Sequence, residues 1–262
     1  MAGLSVVIVT QNEQDRIGQC LASVAWADEI VVVDAFSTDK TVELCRAYTD
    51  RIYSRHWDGF IPQKNYALSL ATRDWVLSLD ADEQLSGQLQ TEIRNTVVSG
   101  NSDCTAYSMP RKTYYLGRWM LHSGWYPDRK VRLIRKGSAA WGGLEPHDEL
   151  QVNGRVCDLH GDILHYSFRN LSHHLRKLDY FTDAAASELV KSGRTVSVRD
   201  MLMHPAGMFL KMFVLKRGYL DGMQGFVAAS ISAFHVFMKY AKTWEQQQPR
   251  EDTAGPGERS SR

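Results

Sequence analysis

The 262-residue chain, 44% hydrophobic and 23% charged, has the composition of a globular protein that buries a sizeable core, as one large domain or as one domain with an appended segment. Its net charge of +1 excludes the overall basic footprint of a nucleic-acid binder and any acidic-tail character. Four scattered cysteines (Cys20, Cys45, Cys104, Cys157) with no C-x-x-C pair argue against a zinc site or a disulfide framework, and fit a reducing compartment.

In chain order, Leu4–Val9 and Ile30–Val33 are continuous β-branched runs, as expected of strands covered on both faces of a parallel sheet. Leu4–Val9 lacks the basic flank and cleavage site of a signal peptide. Asp15–Ala25 places Ile17, Cys20, Leu21 and Val24 at helical spacing, and Ser37-Thr38-Asp39 offer N-caps for a helix from about Lys40 to Tyr48. Ile52–Tyr53 reads as a short strand, Ile61–Leu70 as a helix, and Trp75–Leu79 as a third apolar strand that ends in Asp80-Ala81-Asp82-Glu83. This β-α-β-α-β order predicts an α/β, doubly wound, Rossmann-like half.

From Ala106 to about Ile163 the texture changes to short aromatic and basic strands with glycine turns, predicting an antiparallel extension over the carboxyl edge of the sheet. Leu171–Lys191 is helical again, and Arg199–Trp244 interleaves helix-period apolar residues with Lys and Arg. The longest uncharged stretch, Gly222–Met238, is shorter than the ~20 apolar residues a spanning helix needs. Residues 246–262 are polar and rich in Gly, Pro and Ser, the composition of a disordered tail. Basic charge is uneven, with eight Lys/Arg against Asp128 alone between Arg111 and Lys136, a stripe suited to phosphate or anionic lipid.

Asp80 and Asp82 are the sharpest candidates for chemistry. Ligands of open parallel sheets bind beyond the carboxyl ends of the strands, and two carboxylates one residue apart there can hold a hard divalent ion against a diphosphate. Glu13 and Asp34 follow two earlier strands, where a carboxylate can read a nucleoside through uracil N3–H or ribose hydroxyls. Neither G-x-G-x-x-G nor a Walker loop is present, which disfavours dinucleotides and ATP.

These segments, Val6 to Glu13, Val31 to Thr41, Gln63-Lys64-Asn65-Tyr66-Ala67 and Leu79 to Glu83, resemble family 2 glycosyltransferases of the GT-A fold. Further segments resemble one bacterial branch, the lipopolysaccharide inner-core β-1,4-glucosyltransferases that act on heptose. They are Gly124 to Asp128, Arg132 to Lys136, Pro146 to Leu150, Gly161 to Tyr166, Lys216 to Gly222 and Lys239 to Glu245. The resemblance implies a GT-A catalytic domain over 1–198, with a nucleotide-sugar half (1–105) and an acceptor-side half (106–198). Basic residues beside aromatic and Met-rich faces make 199–245 an amphipathic, membrane-associating helical segment, with a helical cap on the catalytic domain or a dimer face as the alternatives, and the tail (246–262) follows.

The resemblance further makes Asp34 a uracil reader and puts Thr10 and Glu13 at the nucleoside pocket, with Lys64 beside the uridine or its phosphate. Asp80 would contact ribose or metal, and Asp82 would be the principal ligand of Mg²⁺ or Mn²⁺. The family usually has a small residue where this chain has Phe36. An inverting transfer needs one carboxylate to take the acceptor's proton. Asp148 is the assigned base, with Glu149 and Glu145 in reserve; look-alike sequences often carry Glu at that place. His165, or else His147, could complete a metal shell, and Trp125, Tyr126 and Trp141 could stack on sugar faces.

The expected activity is metal-dependent hexosyl transfer, most simply of glucose from UDP-glucose, to a heptose of the lipopolysaccharide core. The expected place is the cytoplasmic face of the bacterial inner membrane, on an anionic surface and without nucleic acid. A transferase acting on a polyprenyl-linked glycan or a protein, and a non-catalytic nucleotide-sugar-binding scaffold, are the alternatives.

Overall fold

The computed structural model of the protein describes residues 2–99, 103–144 and 147–248. β1 (Leu4–Thr10), β2 (Glu29–Asp34), β3 (Ile52–Ser54) and β4 (Trp75–Asp80) form a parallel set in spatial order β3-β2-β1-β4. They are joined by α1 (Ile17–Val24), α2 (Thr41–Cys45) and α3 (Phe60–Leu70). Leu4 to Ile8 of β1 and Ile30 to Asp34 of β2 are buried without alternation, as strands covered on both faces require. On one side Ile8, Leu77 and Leu79 pack with Ile17, Leu21 and Val24 of α1; on the other Val7, Val31 and Val33 pack with Ala67 of α3.

The second half completes the sheet. β5 (Glu83–Leu85) and α4 (Gly87–Ser99) lead into β6 (Ala106–Tyr115), β7 (Arg118–Trp119) and β8 (Asp128–Arg135). β9 (Ala139–Leu144) and β10 (His147–Val152) form a separate hairpin-like pair, followed by β11 (Val156–Asp158) and β12 (Ile163–His165). The main path runs β3-β2-β1-β4-β8-β6-β12-β5, with β7 and β11 also paired to β6. β8 is antiparallel to both β4 and β6, whereas β12 and β11 run parallel to β6, so the extension is mixed and not purely antiparallel. α4 buries Leu89, Ile93 and Val97, a four-residue spacing diluted in the sequence by polar neighbours.

Two expectations change here. Cys104 and Cys157 form a disulfide, with Cα atoms 5.9 Å apart, although they lie 53 residues apart in the chain. The pairing of β11 with β6 brings them together, and spacing along the sequence carries no trace of it. The second helix is shorter than 40–48, covering Thr41–Cys45, with Asp39 Oδ1 accepting the Thr41 N–H at 3.0 Å.

α5 (Leu171–Lys191), α6 (Val198–Leu210) and α7 (Gly222–Gln247) follow, with a π-helical turn at Lys211–Leu215 and a 3₁₀ turn at Gly218–Asp221 between the last two. α7 reaches two residues into the segment read as tail, Gln248 caps it, and 249–262 lie outside the described residues. Asp221 pins this layer to the sheet. Its fully buried carboxylate accepts the N–H groups of Leu121 (3.3 Å) and His122 (2.8 Å) and meets His122 Nδ1 at 3.0 Å. Gly225 lies so close to the turn that an added Cβ would stand 1.9 Å from the Gly218 carbonyl oxygen. The Lys216-to-Gly222 motif is thus a structural joint.

Candidate active site

The carboxyl ends of β1 and β4 open into a cavity of about 720 Å³. Thr10, Glu13, Lys64, Asp80, Asp82, Asp148 and His165 all line it, so seven of the eight predicted site residues meet there. The structure does not bring Asp34 onto that wall. Asp34 is 2% exposed, opposite Thr10 in the β1–β2 register, and its two carboxylate oxygens accept the N–H (2.9 Å) and the hydroxyl (2.5 Å) of Ser37. The Thr10 hydroxyl is buried and makes no hydrogen bond among the described residues.

The loops after β1 and β2 are tied to each other. Ser37 Oγ accepts the Asn12 N–H at 2.8 Å, Asn12 Oδ1 accepts the Thr38 N–H at 2.8 Å, and Thr41 Oγ1 accepts the Glu13 N–H at 2.8 Å. Phe36 takes the left-handed conformation (φ 54°) that a glycine adopts without cost, and its half-exposed ring lies 4.4 Å from that of His56. The loop therefore keeps a glycine-like turn with an aromatic residue in it. Arg169, just before α5, donates to Asn12 O (3.1 Å) and Glu13 Oε2 (3.2 Å), closing the loop from outside. Burial, then the charge of Asp82, push the Glu13 carboxyl up, against the pull of Arg169.

α3 supplies the other wall. Asn65 makes two hydrogen bonds to the Trp141 backbone, each 2.9 Å, which fix β9 against α3. Lys64, 5% exposed, then lies 2.8 Å from Asp148 Oδ2 and 3.0 Å from Asp80 Oδ1, with its ammonium 4.3 Å from the Trp141 ring centre. Asp148 is held beside Lys64, and Glu149 also lines the cavity. Glu145, and the side chain of His147, lie outside the described residues.

Asp80 is further clamped by Arg132 from β8, whose Nη2 is 2.8 Å from Asp80 Oδ2 and 3.0 Å from Glu83 Oε1. Burial alone would raise the Asp80 carboxyl, but Lys64, Arg132 and Arg111 hold it well below the usual carboxylate range. Glu83 is fully buried, accepts the Asp80 N–H at 3.1 Å and lies 3.4 Å from Arg111 Nη1. It anchors two arginines at the site.

Asp82 and His165 form the third element. β12 lies between β6 and β5, and Asp82 O accepts the Tyr166 N–H at 2.9 Å, which brings His165 Nε2 to 3.5 Å from Asp82 Oδ2. His165 Nδ1 is 3.4 Å from Thr113 Oγ1, a partner that orients the ring. Burial opposes the charge on Asp82, yet His165 outweighs it and the carboxyl is lowered. A carboxylate oxygen beside an imidazole nitrogen is a donor set that suits Mn²⁺ or Mg²⁺ when phosphate oxygens and water supply the remaining ligands. Among the described residues, no group of three or more His, Cys, Asp or Glu is placed to hold a metal by itself.

Arg111, Arg129, Lys130, Arg132, Arg169 and Lys177 are cations of the site that the motifs did not single out as site residues. For those between Arg111 and Arg132 the sequence signal was the basic stripe; Arg169 and Lys177 lie outside it and had none. Arg111, Arg129, Lys130 and Arg132 line the cavity, Arg129 also tying β8 to Ser108 and Leu159, whereas Arg135 covers the Trp75 ring at 4.7 Å.

The family model for glycosyl transferase family 2 matches residues 5–149. An uncharacterized glycosyltransferase of Rickettsia typhi is 32% identical over 256 residues, covering 94% of this chain and 88% of the relative. The lipopolysaccharide core biosynthesis glycosyltransferase LpsC of Rhizobium meliloti is 26% identical, covering 93% and 92%. The mannosyltransferase of Pyrobaculum calidifontis, solved with GDP-Man and Mn²⁺, superposes with a TM-score of 0.55 at 12% identity, over 94% of this chain and 88% of that one. With the parallel strand order, the mixed extension and the carboxylates at the strand ends, the chain belongs to glycosyl transferase family 2 and is a glycosyltransferase of the GT-A fold.

Proposed function

We propose that the protein is an inverting, metal-assisted transferase that moves a hexose from a UDP-sugar, glucose being the simplest donor, to a heptose of the lipopolysaccharide inner core. The observation that carries this reading is one cavity holding the Asp82–His165 donor pair, a cationic wall of Lys64, Arg111 and Arg132, and the Lys64-held carboxylate of Asp148. The similarity to LpsC supports the choice of acceptor.

In this reading Thr10 offers its unspent hydroxyl to the nucleoside, and Asp34 acts from behind by setting the Ser37 turn. Asp82 and His165 would hold a divalent cation, which when bound neutralises charge on the leaving diphosphate. The acceptor oxygen attacks the anomeric carbon as the bond from that carbon to the diphosphate oxygen breaks. The electron pair leaves with the UDP, and Asp148 takes the acceptor's proton. Lys64 stands between Asp148 and Asp80, so one ammonium positions the base and lends positive charge to the departing diphosphate.

The C-terminal layer fits a peripheral position at the cytoplasmic face of the inner membrane. Leu202, Met203, Leu210, Leu215 and Met223 are each more than half exposed, with Lys211 and Arg217 among them. Such faces suit an anionic interface. No helix among the described residues is long and apolar enough to cross a membrane.

The test is mass spectrometry of lipopolysaccharide core from a strain lacking the protein, where one hexose should be missing. An unchanged core would overturn the acceptor and redirect attention to polyprenyl-linked or protein acceptors. Purified protein should turn over UDP-glucose, and no turnover of any nucleotide sugar would leave a binding scaffold.

A further inference from the structure

A second cavity, about 520 Å³, lies between α5, the π-helical turn, α7 and the Ser123–Trp125 turn. That size is within the ~300–1,000 Å³ range of small-molecule sites. Lys177 and Phe181 line both cavities, so the second adjoins the first at the acceptor side.

Its chemistry differs from that of the first. Lys177, Lys211 and Lys216 line it, and none of its lining residues is an Asp or Glu. Lys177 donates to Ser167 O at 3.0 Å, and its charge also acts on Glu13 and Asp82 of the first cavity. Trp125 and Phe168 add aromatic surface, their ring centres 6.0 Å apart. Ser123, also on the lining, is 3% exposed, and its hydroxyl has no hydrogen-bond partner among the described residues. Ammonium groups beside aromatic rings form a surface that binds a sugar ring through stacking and its acidic substituent through charge.

We propose that this second cavity is an acceptor subsite for an acidic saccharide, a sugar carrying a phosphate or carboxylate, next to the ring whose hydroxyl Asp148 deprotonates. The inference rests on the transferase reading above and adds the charge of the acceptor to it. The turn that forms the cavity's floor is fixed by the joint at Asp221 and by Lys216 O, which accepts the Ser123 N–H at 2.9 Å. The subsite is therefore part of the folded catalytic unit.

The test uses the full chain, wild type and the double variant Lys211→Glu/Lys216→Glu, with Lys211→Arg/Lys216→Arg as the charge-keeping control. The first probe is glucose 6-phosphate, titrated by NMR with the first cavity saturated by UDP and Mn²⁺. Binding should be seen in the wild type and the Arg variant, be about tenfold weaker in the Glu variant, and be far weaker for glucose. The second probe is deacylated inner-core oligosaccharide, with its phosphates and after their removal, used as acceptor. The wild type should show a lower KM for the phosphorylated form, and in the Glu variant the two KM values should converge. Equal binding of glucose 6-phosphate to wild type and Glu variant, or none to the wild type, would overturn the subsite. If neither oligosaccharide accepts sugar while glucose 6-phosphate binds as expected, the heptose acceptor is wrong and the subsite stands.

Discussion

The parallel half of the sheet and the C-terminal helical layer handle apolar surface in opposite ways. Strands β1, β2 and β4 bury nearly every residue, and their carboxyl ends present charged side chains that are almost all paired with one another. α6 buries no residue fully, and its layer is held by the Asp221 anchor, the close approach of Gly225 and the contacts of α5 with α7. The sheet's order follows from its own core, whereas the helical layer keeps exposed apolar faces and, at Lys211 and Lys216, lysines with no ion pair among the described residues. Chemistry resides where charges are locked; recognition of an amphipathic, anionic partner fits where they are not.

The comparison breaks most sharply at Asp82. Asp82→Asn should leave the fold intact and reduce transfer by roughly a thousandfold or more, because an amide is a far poorer ligand for a hard cation and developing charge on the diphosphate loses its counterpart. Chelation of the wild type should have the same effect, reversed by Mn²⁺ or Mg²⁺. Undiminished turnover in excess chelator would remove metal from the mechanism.

Asp148→Asn comes next. Loss of a general base costs about 10²–10⁴ in rate, so transfer should fall at least ~100-fold while calorimetry finds UDP affinity near wild type. Asp148→Glu should keep measurable activity. If Glu149→Gln proves inactive and Asp148→Asn does not, the base lies one residue along.

The helical layer has its own weak point. Asp221→Ala leaves the Leu121 and His122 N–H groups without their buried acceptor and should cost about 2–4 kcal/mol, on the scale of unsatisfied buried groups. Thermal melts measure the loss. Selective protease sensitivity after about residue 198 would show that this layer loosens first, whereas uniform protection would show one cooperative unit.

The smallest effect concerns the seam between the regions. His174 of α5 lies 2.9 Å from the Tyr115 hydroxyl and against the Phe168 ring, and burial, then Lys177, His235 and His173, push its pKa down to about 4. The unfolded chain binds that proton near pH ~6.5, so stability should be lost as pH falls from there towards about 4. His174→Gln should flatten that part of the melting-temperature profile by a few degrees, and an identical slope in both proteins would assign the acid sensitivity elsewhere.

What the sequence determined by itself was local in origin. β-branched runs specify strands covered on both faces, and a carboxylate just after such a run must lie at a carboxyl edge, so β1, β2, β4 and the Asp80–Asp82 pair were legible without coordinates. Tertiary structure alone decided which distant groups meet. The Cys104–Cys157 bridge, Arg132 against Asp80 and Glu83, and His165 beside Asp82 depend on strands that pair across 50 or more residues, and Lys64 between two carboxylates depends on α3 packing against β9. A one-residue change of register turns a side chain to the opposite face of a sheet. Composition and periodicity hold no record of that choice, so the eight cations of the basic stripe looked alike until the fold put four of them on the cavity wall and Arg135 over Trp75.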